Sequence, residues 1–217
     1  IGRDFQHRVE AVERGVGSAH VAQHQAEVVE GSGRVGGQPE STLAERVSSR
    51  KPFGFPTNFH GAKSPKGLSQ AVKLYGSQRI SWVGRLDIEQ NQEWIDDWKV
   101  LMTAVQGTSA AVETKFLSTP IIAGPGEACT ETYVVAGRFE TEKEARRYAA
   151  YLRTRFVRFL VSLRKYTQHA NRSVYAFVPD IPLSRDWADE KLYERYGLTK
   201  DEIDFIESVV RPMDADE

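Results

Sequence analysis

"TYVVAGRFETEKEARRYAAYLRTRFVRFLVSL", residues 132–163, changes its hydrophobic rhythm once, and that change sets the fold class. The first part has Tyr133, Val134 and Val135 at the centre of a β-rich run, which predicts a strand. Thr141 with Glu144 three residues later forms a capping box, the signature of a helix start. Beyond it Ala145, Tyr148, Leu152, Phe156, Phe159, Leu160 and Leu163 recur at helical spacing, predicting one long amphipathic helix. Arg147, Arg158 and Lys165 fall on the opposite side, with Arg153, Arg155 and Arg164 on the flanks. A strand that runs into a long one-faced helix needs a layered core, so the class expected is α+β. The architecture expected is a small mixed, curved sheet with one long helix packed on it and two short C-terminal helices closing the fold.

Outward from this unit, "AVKLYG" (71–76), "RISWVG" (79–84) and "WKVLMTAV" (98–105) read as strands, and "DIEQNQEWIDDW" (87–98) as more helical. "STLAERVSS" (41–49) predicts a short helix capped by Ser41 or Thr42, with Glu45 placed for a capping box. "SVYAFVP" (173–179) predicts a closing strand. A helix over roughly 186–196 should stop at Gly197, and another should start at Thr199 with Glu202 completing its capping box. In that last helix Ile203, Phe205, Ile206 and Val209 suit docking onto a body. Residues 1–45 read as a weak helix and a flexible connector, because glycines interrupt the first thirty residues and "GSGRVGGQPES" is loop-like. Residues 46–217 form the domain proper.

The chain has 217 residues, 40% of them hydrophobic and 27% charged, so it can bury a real core. Its single cysteine, Cys129, excludes an internal disulfide framework and fits a reducing cytoplasm. No apolar run approaches the roughly 20 residues of a membrane helix, so no membrane partner is expected. The opening "IGRDFQ" lacks an initiator Met, and a fragment of a longer protein is the expectation.

The net charge of −1 conceals a division. Residues 141–172 hold nine Lys or Arg against two Glu, a net of +7, and residues 180–217 hold five against twelve, a net of −7. Such an asymmetry implies either a charged partner or two elements facing each other. A +7 segment can anchor DNA by neutralising phosphates and releasing counterions. Nearby Tyr166, Gln168, His169, Asn171 and Arg172 have the chemistry to reach base edges or backbone. Equally, the arginines could pair with the acidic C-terminal helices. The loop "SRKPFGFPTNFHGAKSPKG" (49–67) offers a second surface, with Phe53, Phe55, Asn58 and Phe59 between Arg50, Lys51, Lys63 and Lys66. For its three Phe, packing against the sheet is slightly favoured over nucleic acid.

Motifs for catalysis are sparse. There is no GxGxxG, P-loop, nucleophile elbow, paired CxxC or HExxH, and no Asn- or Asp-Pro-Pro-aromatic segment of an adenine methyltransferase. No cofactor site is expected in this chain. His20 and His24 are four apart, a spacing that can join two imidazoles to one metal, but His7, His60, His169 and Cys129 have no companion spacing. They read as surface histidines. Glu113-x-Lys115 downstream of Asp96 and Asp97 echoes Mg²⁺-dependent nucleases, in which carboxylates hold the metal and a Lys helps activate water. The commoner account of a Glu-x-Lys pair is an exposed edge.

Four stretches together resemble a known family: "SSRKPFGFPTNF" (48–59), "GEACTETYVVAGRFETEKEA" (126–145), "YLRTRFVRFLVSLRKYTQHA" (151–170) and "YAFVPDIPLSRDWADEKLYERYGLTKDEIDFIESVVRPM" (175–213). They are similar to the C-terminal region of bacterial type II restriction-modification proteins, adenine-N6 DNA methyltransferases or fused restriction enzymes. The likeness spans 48–213 and is weak over 86–118. It implies a target-recognition domain that binds double-stranded DNA, with catalysis in another domain of the same polypeptide. That parent would use S-adenosylmethionine and, if it cleaves, Mg²⁺. Base-reading residues would be expected around 60–118. The DNA contacts expected are Arg50, Lys51, Asn58, Lys63, Lys66, Arg147, Arg158, Lys165, Gln168 and Arg172. The rival expectations are a Mg²⁺-dependent endonuclease using Asp97, Glu113 and Lys115, and a non-catalytic docking module.

Overall fold

The structure, a computed structural model, describes residues 41–104, 116–164 and 172–213. Strands β1 (Ala71–Gly76) and β2 (Arg79–Gly84) form a hairpin, and β5 (Glu127–Cys129) joins β1 in parallel. In a second sheet β3 (Trp98–Thr103) is flanked by β4 (Ile121–Ala123) and β6 (Tyr133–Phe139), both antiparallel to it. The strand runs expected at 71–76 and 79–84 form with those bounds. The helical reading of 87–98 is met by a 3₁₀ turn over Gln92–Asp96.

The second sheet is the middle layer. Val100 and Met102 of β3, with Val134 and Ala136 of β6, enter one core, while Leu101 and Val135 enter another. Burial on both faces explains why these strands read as continuous apolar runs and not as alternating ones. One core lies between the two sheets and takes in Val72, Leu74, Val83 and Ala128 of the first sheet. The larger core lies on the helical side. The α+β class holds, with two small sheets in place of the single sheet expected.

The helical layer departs from the sequence reading at one residue. Helix α1 (Glu142–Arg153) starts at the expected Thr141–Glu144 capping box, but Thr154 turns extended (ψ 148°) and α2 (Arg155–Arg164) begins anew. The Thr154 hydroxyl donates to the Tyr151 carbonyl at 2.8 Å and accepts from the Val157 amide at 3.2 Å. Asp189 accepts from the Arg155 and Phe156 amides at 3.0 and 2.9 Å. The amides orphaned by the break thus all find acceptors, which makes two helices tolerable where the periodicity predicts one.

Helices α3 (Asp189–Arg195) and α4 (Lys200–Val209) dock on α2 through the Phe156–Tyr196 stack and the edge-to-face Phe159–Phe205 pair. Gly197, left-handed at φ +62°, follows α3, and the Thr199–Glu202 capping box starts α4. Two further expectations are corrected. In place of a strand over 173–179 there is a 3₁₀ turn at Arg172–Tyr175 and a bridge from Pro179 to Thr42, because among the described residues this stretch finds strand-like pairing with 41–43 alone. Residues 43–45 form one 3₁₀ turn with no side-chain cap from Thr42. Leu43 is fully buried in the larger core, so the segment 41–45, grouped by sequence with the connector, packs into the body. None of the described helices is long and apolar enough to cross a membrane.

Candidate nucleic-acid interface

The basic helices do not present the face that their sequence suggests. Arg147 donates to Asp186 at 2.9 Å and to the carbonyls of Leu183 and Ser184, both at 2.9 Å. Arg155 pairs with Glu207 at 2.9 Å. Arg158 is 0% exposed, and its Nε donates to the carbonyls of Arg153 and Thr154. Residues 156–161 are all buried, so α2 is covered on every side and Arg158, opposite the apolar face of Phe156, Phe159 and Leu160, is enclosed with them. The expectation that Arg158 meets phosphate is therefore corrected. Arg172 donates to the carbonyls of Ala44 and Glu45 and ties the C-terminal turn to the start of the body. Much of the +7 segment thus meets the acidic C-terminal elements and backbone carbonyls of its own chain. Lys165 and Gln168 lie outside the described residues, as do Tyr166, His169 and Asn171.

The loop 49–67 divides by chemistry. Phe53 and Phe55 are buried in the inter-sheet core, Phe53 edge-on to Trp94 and Phe55 against the half-buried Phe59 at 4.4 Å. Packing therefore accounts for the aromatics. The polar residues stay outside. Asn58, Lys63 and Lys66 are exposed, while Arg50 and Lys51 converge on Glu131 at 2.5 and 3.9 Å.

A charge signal missed in the sequence becomes visible once the hairpin is placed. Arg46, Arg50, Lys51, Lys63, Lys66, Lys73, Arg79 and Arg85 are the only charged residues between 46 and 86. Eight cations and no carboxylate give a local net of +8, and a plain charge window would have found it. Five of them have internal partners: Arg46 on Asp180, Arg50 and Lys51 on Glu131, Lys73 on Glu127, and Arg85 bidentate on Asp96. Lys63, Lys66 and Arg79 are exposed and have no ion pair among the described residues.

Backbone bonds hold these groups around one end of the first sheet. Ala62 and Trp82 exchange two hydrogen bonds, of 2.7 and 2.9 Å, which fastens the Lys63 loop to the edge of β2. Gly61 permits this approach, since a Cβ there would lie 2.4 Å from the Trp82 carbonyl oxygen. On the other flank the Thr130 amide donates to the Tyr75 carbonyl, and Glu131 follows with Arg50 and Lys51 on it. The hairpin tip, Ser77 to Ile80, lies between the two flanks and is exposed throughout. Ile80 is 54% exposed and Leu86, just past β2, is 83% exposed.

Of the nuclease candidates Asp97, Glu113 and Lys115, Asp97 alone lies within the described residues. The Asp97 carboxylate accepts from Arg138 at 2.9 Å, and that guanidinium also lies over Trp94. Glu113 and Lys115 lie outside the described residues, as do His20 and His24. Among the described residues no group of three or more His, Cys, Asp or Glu is arranged to hold a metal ion. Cys129 is fully buried, and burial pushes its thiol far up, away from the reactive thiolate. No protein-family model matches the chain, and no curated protein matches it in sequence.

Proposed function

We propose that this chain is a sequence-specific recognition module for double-stranded DNA from a restriction-modification enzyme. It binds DNA through the β1–β2 hairpin end and the loop before it, and not through α1 and α2. Methyl transfer or cleavage belongs to another part of the polypeptide, which supplies the S-adenosylmethionine site and any Mg²⁺ site. The observation that carries this reading is the run of eight cations without a carboxylate over 46–86, with Lys63, Lys66 and Arg79 exposed and unpaired among the described residues. Cations already held by carboxylates gain little from a phosphate, because the pair must be broken first. Unpaired ones release counterions from DNA at no such cost. The likeness of 48–213 to restriction-modification C-terminal regions supports the same reading, and the hairpin falls in the stretch where base contacts are expected.

The test is binding to a pool of random duplex DNA at two salt concentrations without Mg²⁺, with sequencing of the bound fraction. Salt-sensitive binding that enriches a motif is the expected result. Exchanging both Lys63 and Lys66 for Ala should weaken binding to all sequences alike and flatten the salt dependence by about two units of log–log slope. An absence of binding at low salt would overturn the reading and leave a domain-docking role.

A further inference from the structure

The hairpin tip carries more than charge. β1 and β2 pair out to Gly76↔Arg79, so a two-residue turn, Ser77-Gln78, joins them. Ser77, Gln78, Arg79 and Ile80 are all exposed, in a molecule whose other strand residues are mostly buried or half-buried. Gln78 sits in the left-handed region at φ +57°, where an L-residue other than Asn or Asp is disfavoured and Gly is the easy choice. Structural economy therefore favours a smaller residue at this turn than the one present. No core contact accounts for a long amide and a guanidinium here.

The four side chains are a set suited to base edges in a major groove. Gln pairs bidentately with adenine, Arg with guanine O6 and N7, Ser accepts or donates, and an aliphatic group meets the thymine methyl. Lys63 sits beside Ala62, which pairs with Trp82, three residues along β2 from Arg79 and so about 10 Å away. Arg50 and Lys51, on the other flank, are held by Glu131. Free cations beside a polar tip match a phosphate strand that borders a groove, and a two-stranded ribbon fits the width of the major groove.

We infer that the β1–β2 tip is the base-reading element, with Gln78 and Arg79 as specificity-determining residues and Lys63 and Lys66 as the phosphate contacts that set its register. This inference rests on the DNA-recognition reading above. It separates the contacts into those that position and those that specify.

Two substitutions test it without endangering the fold. Arg79→Lys keeps the charge and loses the planar fork, and Gln78→Gly removes the amide while relaxing the turn. The motif bound by the whole 217-residue chain is determined by selection from random duplex DNA for the wild type and for each variant, at two salt concentrations. Arg79→Lys should lose roughly tenfold or more of the preference at one base pair while keeping the salt dependence. Gln78→Gly should lose the preference at a neighbouring base pair. A wild-type motif that both variants retain unchanged would overturn the inference and leave the DNA-recognition reading standing. Wild-type binding without a motif would overturn the inference and reduce the chain to an anchor. No wild-type binding would overturn both.

Discussion

An ammonium group shut away from water has to place its protons on the protein, and Lys99 has four carbonyls to receive them. Its Nζ donates to Asp97 at 2.6 Å, Trp94 at 2.9 Å, and Ile95 and Gly124 at 3.3 Å. Trp94 and Ile95 belong to the 3₁₀ turn ahead of β3, and their carbonyls also accept from the Asp97 and Gly126 amides. Gly124 belongs to the turn between β4 and β5. One side chain thus ties two turns to the middle sheet. Burial pushes the Lys99 pKa down to about 8, against the pull of Asp97 and Glu127. Between that value and the ordinary lysine range the unfolded chain binds the extra proton, so stability rises with pH across the window. From pH 7 to 9 the wild type should gain about 1 kcal/mol relative to Lys99→Met, measured as the urea-unfolding free energy of each at both values. A gap that does not change with pH would show that the ammonium is not desolvated. The lysine is structural in every detail the geometry offers.

At the scale of elements, the junction of α1 and α2 is where local pattern and tertiary packing diverge. Asp189, at the start of α3, caps α2 with two amide bonds, although burial raises its own carboxyl above the usual range. Asp189→Ala should therefore cost about 1–2 kcal/mol in chemical denaturation, the size of a lost helix cap. A smaller effect would mean that Thr154 alone holds the break. The Lys63 loop is fastened to β2 by backbone bonds that need Gly61. Gly61→Ala would place a methyl against the Trp82 carbonyl and should detach the loop. Its DNA affinity should then fall towards that of the double Lys63, Lys66 exchange, while far-ultraviolet circular dichroism remains that of the wild type.

The whole molecule has two basic regions with different fates. The region on α1 and α2 is balanced from within, by Asp186 on Arg147 and Glu207 on Arg155. These pairs are partly exposed, so each is worth no more than about 1 kcal/mol. The region on the hairpin has its unpaired cations outside. Exchanging Arg147 or Arg155 for Ala should therefore leave DNA affinity and salt dependence unchanged, whereas the Lys63 and Lys66 exchange lowers both. Filter binding or fluorescence anisotropy with one duplex distinguishes the two surfaces, and equal losses would return the helices to the interface.

The sequence alone carried the local elements. Hydrophobic period, capping pairs and turn residues act over a few positions, so β1, β2, the Thr141 and Thr199 helix starts and the docking face of α4 were legible in it. The three Phe of the loop were also legible as core material, since an apolar side chain has one favourable destination. The tertiary structure decided what depends on distant partners. Thr154 breaks a helix only because Asp189, thirty-five positions on, supplies acceptors. Arg158 looks like a surface residue until packing covers α2 on every side. Charge carries no address of its own: a cation faces solvent or a carboxylate according to what the fold brings beside it. That is why the +7 helices and the Lys63–Lys66 loop both drew attention in the sequence, while the hairpin tip with Arg79 became a candidate only once its neighbours were in place.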